Sequence, residues 1–112
     1  GVPIGGMVFD ARTGDGGTDA SRWIALASVP DVDAAVAAGT AGGGRVVMAP
    51  RVLGARGPTA VLVDPQGGLF GVVRSAAGDP EDFLGDPGEW LWIELWADDP
   101  EAAVRFYRAV LG

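Results

Sequence analysis

Short apolar runs separated by Gly- and Pro-rich polar stretches cover most of this chain, and their lengths predict strands. Each run is four to seven residues long and is bounded by turn-forming residues. The predicted strands are residues 4–9, 23–29, 45–48, 59–63, 69–73 and 91–97. Pro and Gly at residues 64–68 predict a tight hairpin between the fourth and fifth of these strands.

Two helices are predicted from capping residues followed by apolar periodicity. Asp31 is a good N-cap for a helix that runs toward Gly39 and ends at the Gly cluster of residues 42–44. Asp99 caps a second helix with Pro100 at its first position, extending to about residue 111. The apolar face of that second helix is formed by Ala103, Phe106, Tyr107 and Val110.

The chain repeats part of itself. Residues 31–36 (DVDAAV) match residues 99–104 (DPEAAV) at an offset of 68, and residues 23–26 (WIAL) match residues 92–95 (WIEL) at an offset of 69. Residues 5–9 (GGMVF) also resemble residues 67–71 (GGLFG). We therefore expect residues 1–9 to be the last strand of a preceding module, residues 22–74 a complete βαβββ module, residues 75–89 a linker, and residues 90–112 the opening βα of a further module.

Composition excludes much of catalytic chemistry. The chain has no Cys and no His, and its eight basic residues are all Arg. Thiolate chemistry, the usual general base near neutral pH, and a Schiff-base lysine are therefore excluded. A net charge of −7 argues against binding to nucleic acid or to an anionic membrane. The absence of a membrane span or a signal-peptide pattern predicts a cytoplasmic protein.

Taken together, the order and spacing of these motifs resemble the vicinal oxygen chelate superfamily, which includes glyoxalases, bleomycin-resistance proteins and extradiol dioxygenases. The motifs are the strand leading into residues 31–36, the GGRVV of residues 43–47, the DPQG turn of residues 64–67, and FY with LG in the second helix. The layout most resembles actinobacterial proteins with tandem domains of this type. The resemblance implies an α+β fold in which βαβββ modules pair into a half-open barrel around a cavity.

The resemblance also implies where a divalent metal would be held, namely on the first and last strands of the modules. The first-strand position falls on Ile24, or on Trp23 if the Trp repeat sets the register, and on Trp92 in the second copy. The last-strand position is Gly71, with Phe9 as its counterpart near the N-terminus. None of these side chains can ligate a metal, so we expect no metal and no other cofactor.

The strand of residues 91–97 carries the most informative candidate site. Ile93 and Leu95 share one face, which should pack under the second helix, whereas Trp92, Glu94 and Trp96 share the other and should face the cavity. A carboxylate between two indoles suits a flat or cationic organic ligand. In the first copy the equivalent face is Trp23, with small residues at positions 25 and 27.

Each candidate residue also has a structural interpretation. The tryptophans and Phe70, which we include among the candidate ligand contacts, could equally be packing residues, and Phe70 is a core residue by default. A salt bridge to Arg22 or Arg74 would explain Glu94. Tyr107 falls on the apolar stripe of its helix, which favours packing over a role as a catalytic acid.

Three functions stay open at this stage. The first is a metal-free small-molecule binder for aromatic or drug-like ligands, with Trp23, Phe70, Trp92, Glu94 and Trp96 as contacts. The second is a lyase, isomerase or oxygenase of the same superfamily whose catalytic residues, unknown here, lie partly outside this chain. The third is a structural half-module. Open strand edges predict either a fragment of a longer tandem protein or a homodimer, which could be strand-exchanged.

Overall fold

The computed structural model describes residues 23–79, 85–88 and 93–112. Four strands, two α-helices and a short 3-10 helix form in these residues. In chain order they are β1 (Leu26–Ser28), α1 (Val32–Ala41), β2 (Arg45–Val52), the 3-10 helix (Gly54–Arg56), β3 (Pro58–Val63), β4 (Leu69–Val73) and α2 (Pro100–Leu111). The α-helix and strands from Leu26 to Val73 follow the order β-α-β-β-β, and the division of the chain into modules stays a prediction.

The four strands form one mixed sheet with the order β1-β4-β3-β2. The pairs β2–β3 and β3–β4 are antiparallel, and β1 lies parallel to β4 at the edge of the sheet. The connection through α1 allows this parallel pairing, because parallel strands need a long crossover. Strand β2 runs past Pro50 with two register shifts, farther than the predicted end at Met48. An edge strand tolerates a proline in this way, since part of its backbone needs no ladder partner.

Both helices pack on one face of the sheet and bury a common core. Alternate residues of β3 and β4 point toward the helices, and the largest α2 contributions are Phe106 and Val110. The buried cluster comprises Val29, Val32, Ala35, Ala60, Leu62, Phe70, Val72, Phe106 and Val110. Helix α2 thus contributes to the same core as α1 and the sheet.

Helix α2 begins and packs as its sequence predicts. The Asp99 side chain accepts a hydrogen bond from the Ala102 N–H at 2.9 Å, and Pro100 occupies the first turn. Ala103, Phe106 and Val110 are the buried residues of the helix.

The strand predicted over residues 91–97 is not formed in its described part. Residues 93–97 belong to neither a helix nor a strand, and Ile93 and Leu95 are 70% and 50% exposed rather than packed under α2. A strand requires a neighbouring strand as hydrogen-bonding partner, and residues 93–97 have none within the described residues. The predicted strand of residues 4–9 lies outside the described residues.

The architecture is α+β with a four-stranded mixed sheet, and this sheet is not a closed barrel. The pairing of two modules around a cavity stays a prediction. Neither helix of the described residues has the length and apolar character needed to cross a bilayer.

Candidate functional site

The face of the sheet turned away from the helices, here called the far face, carries Leu26 of β1 and Gly71 of β4. These two residues are directly paired in the parallel ladder, and the Gly71 N–H donates to the Ala25 carbonyl at 2.8 Å. Paired residues share a face, and this face is opposite to that of Phe70 and Val72. A Cβ atom built at Gly71 would overlap Cδ2 of Leu26, and would lie 3.2 Å from the Ala60 carbonyl oxygen. The leucine side chain therefore covers the glycine.

Of the positions at which the resemblance would place metal ligands, Gly71 pairs with Leu26 in this ladder, and Ile24 lies two residues before Leu26, ahead of β1. The residues present do not fit a metal, because they offer no side-chain donor atom and a leucine methyl covers Gly71. Within the described residues, no group of three or more Asp, Glu, His or Cys side chains could hold an ion.

The register corrects one expectation about the first module. Ala27 pairs with Val72, a core residue beneath the helices, so Ala27 faces the helices rather than the cavity side. The far face of β1 is instead formed by Leu26 and Ser28, with Ile24 preceding them. The error came from aligning the two copies on their Trp residues, because a one-residue slip turns a strand over. At the offset of 68, Leu26 corresponds to Glu94 and Ser28 to Trp96.

Glu94 and Trp96 are brought together by the structure. The indole Nε1 of Trp96 lies 3.5 Å from Oε2 of Glu94, at the long limit of a hydrogen bond, and the two side chains are on the same side of the chain. Trp96 is 90% exposed. Of the two arginines expected to pair with Glu94, Arg74 lines a separate cleft, and Arg22 lies outside the described residues. An exposed indole beside a carboxylate can stack on a planar ligand and attract a cation.

The other predicted contact residues are placed differently. Phe70 lies in the core, where its ring makes edge contacts with Phe106 and Tyr107 at centroid distances of 6.0 and 5.0 Å. Trp23 precedes β1 and is 86% exposed. Trp92 lies outside the described residues. The structure therefore brings together Glu94 and Trp96 and separates Phe70 from them, in agreement with the default interpretation of Phe70 as a core residue.

A hydrogen-bonded junction joins the β3–β4 turn to α2, and the sequence patterns did not predict it. The buried Asp64 carboxylate accepts hydrogen bonds from the Gln66 and Gly68 N–H groups through Oδ1, both at 2.8 Å, and from the Tyr107 hydroxyl through Oδ2 at 2.8 Å. The Gln66 carboxamide donates to the Asp99 carbonyl at 3.0 Å and accepts from the Asp99 N–H at 2.8 Å. The DPQG motif is the signal that could have suggested this junction, but we interpreted it only as a hairpin turn.

Tyr107 is therefore a packing and anchoring residue. Its ring packs on the core, and burial, followed by the hydrogen bond to Asp64 and the negative charge of that carboxylate, raises the pKa of the Tyr107 hydroxyl well above its ordinary value. A phenol in this environment stays neutral and does not transfer its proton near neutral pH.

Two clefts in the described residues lie apart from the Glu94–Trp96 pair. A cleft of about 280 Å³ opens where the parallel strands β1 and β4 end, and its lining includes Ser28, Arg74 and Asp79. The Ser28 hydroxyl donates to the Asp79 carboxylate at 2.6 Å there. A shallow depression on α2 is lined by Pro100, Glu101, Val104 and Arg105.

The chain is similar to proteins of two kinds. It is 37% identical over 90 residues to the anthracycline biosynthesis protein DauV of Streptomyces sp. (strain C5), a match covering 80% of this chain and 33% of that protein. DnrV of Streptomyces peucetius, also named as an anthracycline biosynthesis protein, is 36% identical over the same shares. CFP32 of Mycobacterium tuberculosis, whose name assigns it to the glyoxylases, is 30% identical over 99% of this chain and 48% of that protein.

The chain thus spans about a third to a half of the length of the curated relatives it matches. No family profile matches it. The motif order, the βαβββ topology and these relatives agree with one another. The chain is therefore homologous to part of proteins of the glyoxalase type of the vicinal oxygen chelate superfamily.

Proposed function

We propose that this chain is part of a metal-free protein that binds planar aromatic small molecules. The proposal rests mainly on the contact in which the Leu26 side chain covers Gly71. This contact supports an apolar far face at the position where the superfamily would hold a metal ligand. A flat ligand of low polarity gains most from such a surface, because apolar area removed from water is the main source of its affinity.

The Glu94–Trp96 pair supplies the second recognition element. Its indole and carboxylate lie side by side and are exposed, so a ligand that combines an aromatic ring system with an ammonium group would satisfy both. Trp92 and Trp23 remain further proposed contacts. The name of the Streptomyces relatives suggests a class of probe, since anthracyclines are fused planar aromatics.

Daunorubicin fits these requirements as a probe, because it carries a fluorescent planar ring system and an ammonium group. We expect the protein to quench and shift its fluorescence saturably, in EDTA as well as without it. Trp96→Leu should weaken binding about tenfold through lost stacking, and Glu94→Gln about threefold, in line with the strength of an exposed charge pair.

Anthraquinone-2-sulfonate is the matched control ligand, since it keeps the planar rings and replaces the cation by an anion. We expect it to bind more weakly than daunorubicin, and Glu94→Gln should narrow the difference between the two. Equal affinity of wild type and the Trp96→Leu variant for daunorubicin would overturn the proposed site. Binding that requires a divalent metal would overturn the proposed metal-free function.

The alternative of a superfamily enzyme is kept open by one comparison, the mycobacterial relative named for glyoxylase activity. Its catalytic residues would have to be supplied in part from outside this chain, because the described far face carries no acid–base group beside Leu26 and Gly71. We also expect the protein to form a homodimer and to be located in the cytoplasm.

A further inference from the structure

The turn between β3 and β4 is held by several hydrogen bonds among its own residues. The Asp64 N–H donates to the Gly68 carbonyl at 2.8 Å, and the Gly67 N–H donates to the Asp64 carbonyl at 3.1 Å. Gly67 has a φ of +91°, which favours glycine at this corner. With the Asp64 carboxylate bonded to two further N–H groups of the turn, Gln66 projects from a fixed base.

The Gln66 side chain holds the backbone of Asp99 at two points. Its carboxamide offers one donor and one acceptor, and both pair with the Asp99 carbonyl and N–H, as a neighbouring peptide group would in a sheet. The same Asp99 carbonyl also accepts from the Ala103 N–H at 3.0 Å, and the Asp99 side chain caps α2. The chain is therefore fixed in position and direction at Asp99.

The Glu94–Trp96 pair lies immediately before this fixed point. Residues 93–98 belong to no helix or strand, so no regular hydrogen-bond ladder of the described chain positions them. Trp96 is three residues from Asp99, which limits the distance between their Cα atoms to roughly 10 Å. Since the pair is held on its C-terminal side by Asp99, the two Gln66 hydrogen bonds restrict where the indole and carboxylate can be.

We infer that Gln66 is a positioning residue for the ligand contacts Glu94 and Trp96, an inference that rests on the proposed function. Gln66 acts on them through its two hydrogen bonds to the backbone of Asp99. Helix α2 has independent anchors in the buried Phe106 and Val110 and in the Tyr107–Asp64 bond. Loss of the Gln66 carboxamide should therefore leave α2 docked while residues 93–98 gain freedom.

The test compares Gln66→Ala with Tyr107→Phe. Both variants remove hydrogen bonds that join the same turn to α2, but only the first removes those at Asp99. The chain has no Cys, so a single Leu95→Cys substitution places a nitroxide spin label in the segment and leaves Glu94 and Trp96 intact. We expect Gln66→Ala to narrow the spectrum of the label and to raise the daunorubicin Kd about tenfold, and Tyr107→Phe to change neither.

Gln66→Glu keeps the acceptor for the Asp99 N–H and loses the donor to the Asp99 carbonyl, so both effects should be intermediate. Circular dichroism of each variant checks that the fold is kept. An unchanged spectrum and an unchanged Kd in Gln66→Ala would overturn the inference, as would equal changes in Gln66→Ala and Tyr107→Phe. If the wild type binds no daunorubicin, the proposed function fails, while the label spectra still decide whether Gln66 anchors the segment.

Discussion

Leu26 and Gly71 are paired residues of neighbouring strands, and the leucine side chain lies over the glycine. A glycine inside a strand weakens it, and such a position often marks a place where another group approaches closely. Here the approaching group is a leucine side chain from the neighbouring parallel strand. The contact is apolar and lies at Gly71, where the resemblance would place a metal ligand.

Placing a glutamate at position 71 tests this fit directly. Gly71→Glu should destabilise the protein by about 1–3 kcal/mol, because the new Cβ overlaps Leu26 and a charge is added to an apolar surface. The cost should fall by about half in the Leu26→Ala background, which removes the overlapping atoms. Urea unfolding of the four proteins of this cycle measures the coupling. A cost that is the same in both backgrounds would show that Leu26 does not cover Gly71.

Tyr107 provides a second test, because it is the only tyrosine of the chain. Its pKa is raised in the folded state, so the stability contributed by the neutral phenol is complete below the unfolded pKa of about 10 and is lost as the pH rises above that value. We expect the tyrosinate absorbance to appear near pH 10 in urea, but only at higher pH in the folded protein. Titration of the folded protein at the same pH as in urea would contradict the Asp64–Tyr107 bond.

At the scale of elements, local sequence signals were sufficient wherever an element is defined by its own residues. Asp31 and Asp99 mark the starts of α1 and α2, and β4 has the predicted bounds. Partner-dependent features were harder to predict. The segment of residues 93–97 has the residue alternation of a strand, yet it has no strand partner among the described residues. Pro50 predicts the end of a strand, although the edge strand β2 continues past it. The Gln66–Asp99 pairing joins residues 33 apart, and nothing in the periodicity of either segment indicates it.

The contact between α1 and the sheet yields a prediction that runs against helix propensity. Replacing a helix-interior glycine by alanine normally stabilises a helix by about 1 kcal/mol. At Gly39 the added Cβ would lie 2.7 Å from Cδ2 of Leu62, a side chain that is fully buried and has no room to move. Gly39→Ala should therefore destabilise the protein by about 1–3 kcal/mol.

Chemical denaturation of Gly39→Ala with and without Leu62→Val checks the cause. The glycine substitution should be less costly in the Leu62→Val background, since the shorter side chain removes the close contact. Stabilisation of the wild-type background by Gly39→Ala would contradict the packing of α1 described here.

At the scale of the whole molecule, the sequence repeat and the packed core have different boundaries. The sequence repeat predicts a boundary near residue 74, whereas the buried core also includes Phe106 and Val110 of α2. The Gln66–Asp99 and Asp64–Tyr107 bonds join the same two parts. A ligand site that includes Glu94 and Trp96 would therefore depend on the contacts between the β3–β4 turn and α2.

The proposed function is that the apolar far face binds a planar aromatic ligand without a metal. The most direct measurement is the melting temperature of the EDTA-treated protein, titrated with daunorubicin and, separately, with Mn²⁺, Ni²⁺ and Zn²⁺. We predict a saturable rise with daunorubicin alone, of equal size in the presence of each metal, and no rise with metal alone. A rise in melting temperature with metal alone, or a rise with daunorubicin only after metal is added, would contradict metal-free binding.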